Sequence, residues 1–232
     1  MFYKLGLVTY YGPNLINDLA ELADNMLPYT QKAFGYYMGN STGISILSSD
    51  LWYEERTDFS PNSIGTDRVT HPEQHGYELI HGNTSFRGKL LGGCLDTIYD
   101  LLTGACNPDA KVMCEKYGLF PSADDWAGKV LFIETSENCM PPEKMRTALL
   151  ELESRGVFGA ISGIIVGKPQ NEVFYDEYKE IYKDVLSAYS SLPALYNINF
   201  GHAYPRTVLP YGVEVEVDIN QNEIRFMESI TA

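Results

Sequence analysis

Three short apolar runs, KVLFIE at 129–134, ISGIIVG at 161–167 and ALYNINF at 194–200, alternate with two stretches of helical periodicity. That alternation constrains the fold more than any other feature of the chain. Short runs rich in β-branched and aromatic side chains, with no polar face, read as strands covered on both sides. In the first intervening stretch, Pro141-Pro142-Glu143 opens a helix. Proline suits the first turn, and Glu143 complements the positive end of the helix dipole. Met145, Leu149 and Leu152 share a face, and Arg155-Gly156 marks the end. In the second, Tyr178, Ile181, Tyr182 and Val185 form the apolar side of a helix over 175–192. Strand, helix, strand, helix, strand implies parallel neighbours joined by right-handed crossovers, so the fold class is α/β. Residues 213–219 and 224–227 predict a terminal β-hairpin about Asn220-Gln221-Asn222.

In open sheets of this kind, ligands sit beyond the carboxyl ends of the strands. Glu134 closes the first strand and His202 follows the third. A carboxylate that reaches a histidine fixes its tautomer and stabilises the imidazolium, which equips the ring as a general base. A purely structural hydrogen bond between the two satisfies the same pattern, so spacing alone leaves both readings open. Gly39-Asn40-Ser41-Thr42-Gly43 matches the G-x-S-x-G spacing of a nucleophile elbow. An elbow leads into a helix, whereas Ile44-Ser45-Ile46-Leu47 alternates like a strand, so Ser41 reads as part of a turn. His71-Pro72-Glu73-Gln74-His75 lacks the H-E-x-x-H order of zinc peptidases, and Pro72 would disturb a helix; it reads as a solvated loop. The cysteines show no metal-ligand spacing and no phosphate-binding or dinucleotide glycine motif occurs, so neither a metal site nor a cofactor is expected.

Elsewhere, Leu5 to Tyr11 reads as a buried strand ended by Gly12-Pro13, with little chain ahead of it to supply cover; this points to further sequence upstream. Leu15, Leu19, Leu22 and Met26 carry helical spacing up to a break at Pro28. Residues 48–76 are polar and read as a long loop or connection. A new compact region begins at Gly88, with Ile98, Leu101 and Leu102 at helical spacing. Cys94, Cys106, Cys114 and Cys139 form no CxxC pair, so reduced thiols are expected. Seventeen Lys and Arg against 31 Asp and Glu give a net charge of -14. That field repels nucleic acid and anionic membrane surfaces. Without a secretory signal or a long apolar run, the expected location is cytoplasmic.

Four blocks, in this order, carry a resemblance: Leu91-Gly92-Gly93-Cys94-Leu95-Asp96-Thr97, Val130 to Glu134, Ile161 to Lys168, and Phe200-Gly201-His202. They resemble the LD-carboxypeptidase and microcin-immunity family of serine peptidases. Leu7-Val8-Thr9-Tyr10-Tyr11-Gly12-Pro13 is similar to the segment that follows the family's nucleophile helix. The resemblance implies a Ser-Glu-His triad without metal or cofactor, with Glu134 and His202 as two members. The serine belongs to a G-x-S-D turn upstream of that segment, which these 232 residues do not include. The chain alone is therefore expected to be inactive. The implied organisation is the end of a nucleophile domain (1–45), a cross-domain loop (46–80) and an α/β carboxyl-terminal domain (81–232). Gly92 and Gly93 would contact substrate. Trp52, in Leu51-Trp52-Tyr53-Glu54-Glu55-Arg56, would stack on a base, or else simply pack the domain junction. Many relatives carry Asn where Cys94 stands. The implied substrate is a murein peptide or an aminoacyl-nucleotide-like compound, with Trp52 favouring the second, and the implied assembly is a homodimer. The alternative is a non-catalytic binding module on the same scaffold.

Overall fold

The computed structural model describes residues 2–38 and 43–230. Its strands are β1 (Tyr10–Tyr11), β2 (Ser45–Ile46), β3 (Leu51–Tyr53), β4 (Thr70–Pro72), β5 (Glu78–His81), β6 (Ser85–Cys94), β7 (Lys129–Glu134), β8 (Gly163–Gly167), β9 (Ala194–Ile198), β10 (Leu209–Pro210), β11 (Glu214–Asp218) and β12 (Glu223–Phe226). The helices are α1 (Pro28–Met38), α2 (Leu95–Thr103), α3 (Pro108–Tyr117), α4 (Ala123–Trp126), α5 (Pro142–Ser154), α6 (Val157–Ala160) and α7 (Tyr175–Leu186).

One mixed sheet organises the chain, with strand order β2-β12-β11-β6-β7-β8-β9-β5. Its middle, β6 to β9, is parallel and runs in chain order. Right-handed crossovers that always advance in one direction lay their helices on one face. Accordingly Leu91, Leu131, Ile133, Ile164 and Val166 pack with Leu95, Leu149, Tyr178 and Tyr182 of α2, α5 and α7. The alternate residues Leu90, Val130, Phe132, Ile165 and Ile198 pack on the other face with Ile44, Ile46, Leu209 and Val215. Phe132 and Ile133 have no exposed surface, and full burial of such side chains is worth about 1.5–3 kcal/mol each. The terminal hairpin forms as β11 and β12, paired antiparallel and joined to β6.

Four segments differ from their sequence patterns. Residues 5–11 are not a buried strand: Gly6 turns the chain at φ +71, Leu5, Leu7 and Val8 are exposed, and only Tyr10–Tyr11 pairs, with β10 outside the large sheet. The helical spacing of 15–26 yields only the turn Leu15–Leu19, capped by the Asn14 side chain. Pro28 opens α1 rather than breaking a helix, as a first-turn proline gives up no hydrogen bond. Within 48–76, β3 and β4 form a two-stranded hairpin. The loop read at 71–75 is not simply solvated, because His71 stacks on Trp52 and the Glu73 carboxylate is buried against Lys168. Among the described residues, no helix is long and apolar enough to cross a membrane.

Candidate active site

The parallel register pairs Cys94 with Glu134 at the carboxyl ends of β6 and β7. Strand alternation puts both on the face that carries Leu90 and Phe132. Glu134 is 1% exposed. Two residues beyond the last strand residue of that register, the chain leaving β9 passes through Phe200-Gly201 and delivers His202 to the same point. His202 Nδ1 lies 2.9 Å from Glu134 Oε2 and 3.1 Å from Oε1, and the His202 amide donates to Oε2 at 3.2 Å. The Tyr11 hydroxyl donates to Oε1. A buried carboxylate is thus met by three donors, which is what lets it remain charged away from water. On the far side of the ring, Nε2 lies 3.2 Å from Glu137 Oε2.

Two glycines make room for this carboxylate. A Cβ on Gly167 would come within 2.6 Å of Glu134 Cβ. A Cβ on Gly201 would lie 2.4 Å from Glu134 Cγ and 2.6 Å from Oε2, and Gly201 sits at φ +92. Gly201→Ala is therefore expected to cost about 1–3 kcal/mol from backbone strain alone and to push Glu134 off the imidazole. Thermal unfolding together with the NMR titration of His202 checks this. A variant with unchanged melting and unchanged titration would remove the requirement for glycine.

The hydrogen bond to Glu134 raises the His202 pKa above its ordinary value; burial opposes it, and the charges of Glu134 and Glu137 add to it. Burial, then the Glu134 charge, pushes the Tyr11 hydroxyl far up, so it stays a donor. The same two causes push the Cys94 thiol up to about 12. His202 opens onto a cleft of about 680 Å³ lined by Tyr10, Tyr11, Asn14, Glu55, Glu137 and Arg206, among others. Arg206 pairs with the buried Asp18 at 3.1 Å, donates to the His202 carbonyl at 2.6 Å and stacks over Tyr204. It holds the loop after His202 from behind.

Trp52 is nearly buried in β3, with its ring stacked on His71 at 4.1 Å and Lys168 Nζ 5.2 Å from its centroid. Its hairpin touches the His202 loop where the Tyr53 amide donates to the Tyr204 carbonyl. Gly92 serves close strand approach: a Cβ there would lie 1.7 Å from the Phe132 carbonyl oxygen. Gly93 adopts φ +147 beneath the Tyr211 hydroxyl. Ser41 lies outside the described residues. The sequence patterns did not single out Tyr11, Glu137, Arg206 or Lys168. Each acquires its place through contacts distant in sequence.

Residues 87–217 match the family described as LD-carboxypeptidase C-terminal domain. The microcin self-immunity protein MccF of Escherichia coli is 24% identical over 98% of this chain, which spans 61% of that protein. A crystal structure of an MccF-like protein from Streptococcus pneumoniae in complex with AMP superposes with a TM-score of 0.92 at 43% identity, covering 97% of this chain and 65% of the other. MccF in complex with aspartyl sulfamoyl adenosine superposes with a TM-score of 0.76 at 22% identity, covering all of this chain and 64% of the other. The chain thus spans about three-fifths of the length of the curated relatives it matches.

Proposed function

This chain belongs to the LD-carboxypeptidase family, and from that premise we propose that Glu134 and His202 are the acid–base part of a serine-hydrolase site. The site acts on an amide-type bond to a carboxyl-terminal aminoacyl group. The single observation that carries the reading is the buried carboxylate on Nδ1 of a half-buried histidine whose other nitrogen faces a cleft. In this arrangement Nδ1–H is held by Glu134, and Nε2, once the exposed Glu137 side chain moves off it, takes a proton from an attacking hydroxyl and returns it to the leaving group. The acyl group passes through a serine ester, with no cofactor.

The serine of this reading is the one in the G-x-S-D turn that the family resemblance puts ahead of residues 7–13, outside these 232 residues. Residues 1–45 then close the nucleophile domain, 46–80 cross between domains and 81–232 carry Glu134 and His202. The substrate is an aminoacyl-nucleotide-like compound in preference to a murein peptide. Support comes from the AMP and aspartyl sulfamoyl adenosine complexes of the MccF-like neighbours. A cleft of about 680 Å³ is within the usual range for a ligand of that size. Trp52, a planar ring on a hairpin tied to the His202 loop, is the candidate for stacking on the base. The enzyme would work in the cytoplasm as a homodimer.

The test is chromatographic release of aspartate from aspartyl sulfamoyl adenosine. We expect no release by the 232-residue chain and release by a protein extended upstream through a G-x-S-D segment. Release by the short chain that disappears in Ser41→Ala would transfer the nucleophile to Ser41. Binding of the compound by the extended protein with no release from it, or from a murein tetrapeptide, would leave only a binding module.

A further inference from the structure

One ionisable neighbour of the dyad is left without a task in acyl transfer. Cys94 closes β6 in register with Glu134 at the N-terminus of α2, where its thiol meets Asp96 Oδ2 at 3.8 Å and Thr97. Donor atoms from Cys94, Glu134 and His202 all lie within 4.8 Å of one another. We propose that these three side chains form a binding site for a borderline-soft divalent metal, of which zinc is the type, and that the bound metal withdraws His202 from catalysis. The binding half of this proposal stands on geometry alone; the inhibitory half rests on the function proposed above.

The donor set is of the Cys, His and carboxylate kind that zinc accepts, at about 2.3 Å from sulfur and about 2.0–2.2 Å from nitrogen or oxygen. Around a tetrahedral ion such donors stand roughly 3.3–3.6 Å apart. His202 Nδ1 and Glu134 Oε2 stand at 2.9 Å and need to open by only a few tenths of an ångström. The thiol, at 4.8 Å or less, closes on them by a small side-chain rotation. The ion takes the place of the proton between Nδ1 and Glu134. That proton moves to Nε2, the thiol proton is released, and a bond from sulfur to metal replaces it.

The surroundings suit the ion in two further respects. With Nδ1 on the metal, the new Nε2–H points at Glu137 Oε2, 3.2 Å away. A carboxylate that receives the second ring N–H of a ligating histidine is the usual outer partner at such sites. Cys94 and Glu134 sit on adjacent strand ends, so two of the three donors are held rigidly, and His202 opens onto the cleft, which gives the ion a path. An Asn in place of Cys94 would offer no thiolate. The site therefore belongs to chains that carry the cysteine.

Cobalt(II) is the probe, because thiolate ligation gives a near-ultraviolet charge-transfer band and needs no turnover to be read. We expect one equivalent of cobalt to produce that band in the metal-free protein, and zinc to displace it stoichiometrically. In Cys94→Ser the band is expected to vanish and zinc affinity, measured against a chromophoric chelator, to fall at least ~100-fold. Should that variant fail to fold, His202→Asn, at the mouth of the cleft, is expected to show the same loss of affinity. For protein that turns over substrate, zinc is expected to abolish hydrolysis reversibly, and a chelator to restore it; in Cys94→Asn, turnover no longer responds to stoichiometric zinc. Failure to bind cobalt stoichiometrically, or binding that Cys94→Ser leaves intact, would overturn the site. A protein that binds cobalt as described but hydrolyses nothing would instead count against the proposed function.

Discussion

If the upstream-extended protein hydrolyses as proposed, Glu134→Gln is expected to lower its kcat by about 10⁴-fold while leaving it folded. The carboxylate accepts from three donors at once: the Tyr11 hydroxyl, the His202 amide and His202 Nδ1–H. A glutamine of the same shape brings one acceptor oxygen and an NH₂ that only donates. Tyr11 donates to Oε1 and the His202 amide to Oε2, so a glutamine oxygen that keeps Tyr11 turns its NH₂ towards the His202 amide and Nδ1, and the ring must hold its proton on Nε2. That tautomer cannot take a proton from an attacking hydroxyl. The pH profile gives an independent reading. A general base works when neutral, so the rate rises with pH through the His202 pKa, which the hydrogen bond to Glu134 holds above the ordinary value of 6.5. In the variant the residual limb moves to lower pH, because burial then acts unopposed by the carboxylate. The same coupling adds folding stability that is complete below the ordinary imidazole value and is lost as pH rises through the raised one. A Glu134→Gln protein within tenfold of the parent, with an unmoved limb, would refute the dyad as the acid–base machinery.

The meeting of Glu134 and His202 was legible because it depends on one local fact, that an apolar run ends in a polar residue, and one topological rule, that parallel strands point their carboxyl ends the same way. The glycines around them were legible as motif letters but not as causes. Gly201 is required by a contact with Glu134, 67 positions away, that no window of sequence contains. Strand β6 escaped notice for a different reason. Ser85, Arg87 and Lys89 alternate with Phe86, Gly88 and Leu90, and two of its last three residues are glycines, so its apolar signal is diluted. Residues 5–11 show the reverse error, since they have the composition of a buried strand without its pairing. An apolar run predicts burial only where partners flank it, and just two of its residues find one, in β10. Tyr11 nevertheless reaches Glu134 from that short strand, a role no periodicity could announce.

Lys168 was legible only as the last residue of a resemblance block, one position past a strand, and the structure gives it the second large expected effect. Its ammonium is 1% exposed, lying 3.1 Å from Glu73 Oε2, 2.5 Å from Glu172 Oε1 and 3.3 Å from Asn197 Oδ1. Glu73 directly follows β4, so the cluster ties the hairpin bearing Trp52 to the ends of β8 and β9. It also spans a stretch of left-handed backbone at Asn171 and Glu172, φ +51 and +57, which non-glycine residues adopt only when held. Lys168→Met removes the cation and leaves the Glu73 side chain, 4% exposed, without its counter-charge. Removing one partner of a buried pair costs about 3–5 kcal/mol, which lowers Tm on the order of 10 °C in a chain of this size. The deficit depends on pH with a definite sign. Burial raises the Glu73 pKa, but the His75 amide and Lys168 outweigh it, so the folded value lies below the ordinary 4.5. Its contribution is therefore present above that value and is lost as pH falls through the folded one. Without Lys168 the carboxyl protonates more readily, so the gap between variant and parent narrows as pH falls towards 4. Adding Glu73→Gln restores part of the loss at neutral pH, since no buried charge is then left alone. Trp52 loses its neighbouring cation in the same variant. Equal melting of Lys168→Met and parent at pH 7, or a deficit that does not vary with pH, would show that the cluster does not anchor the hairpin.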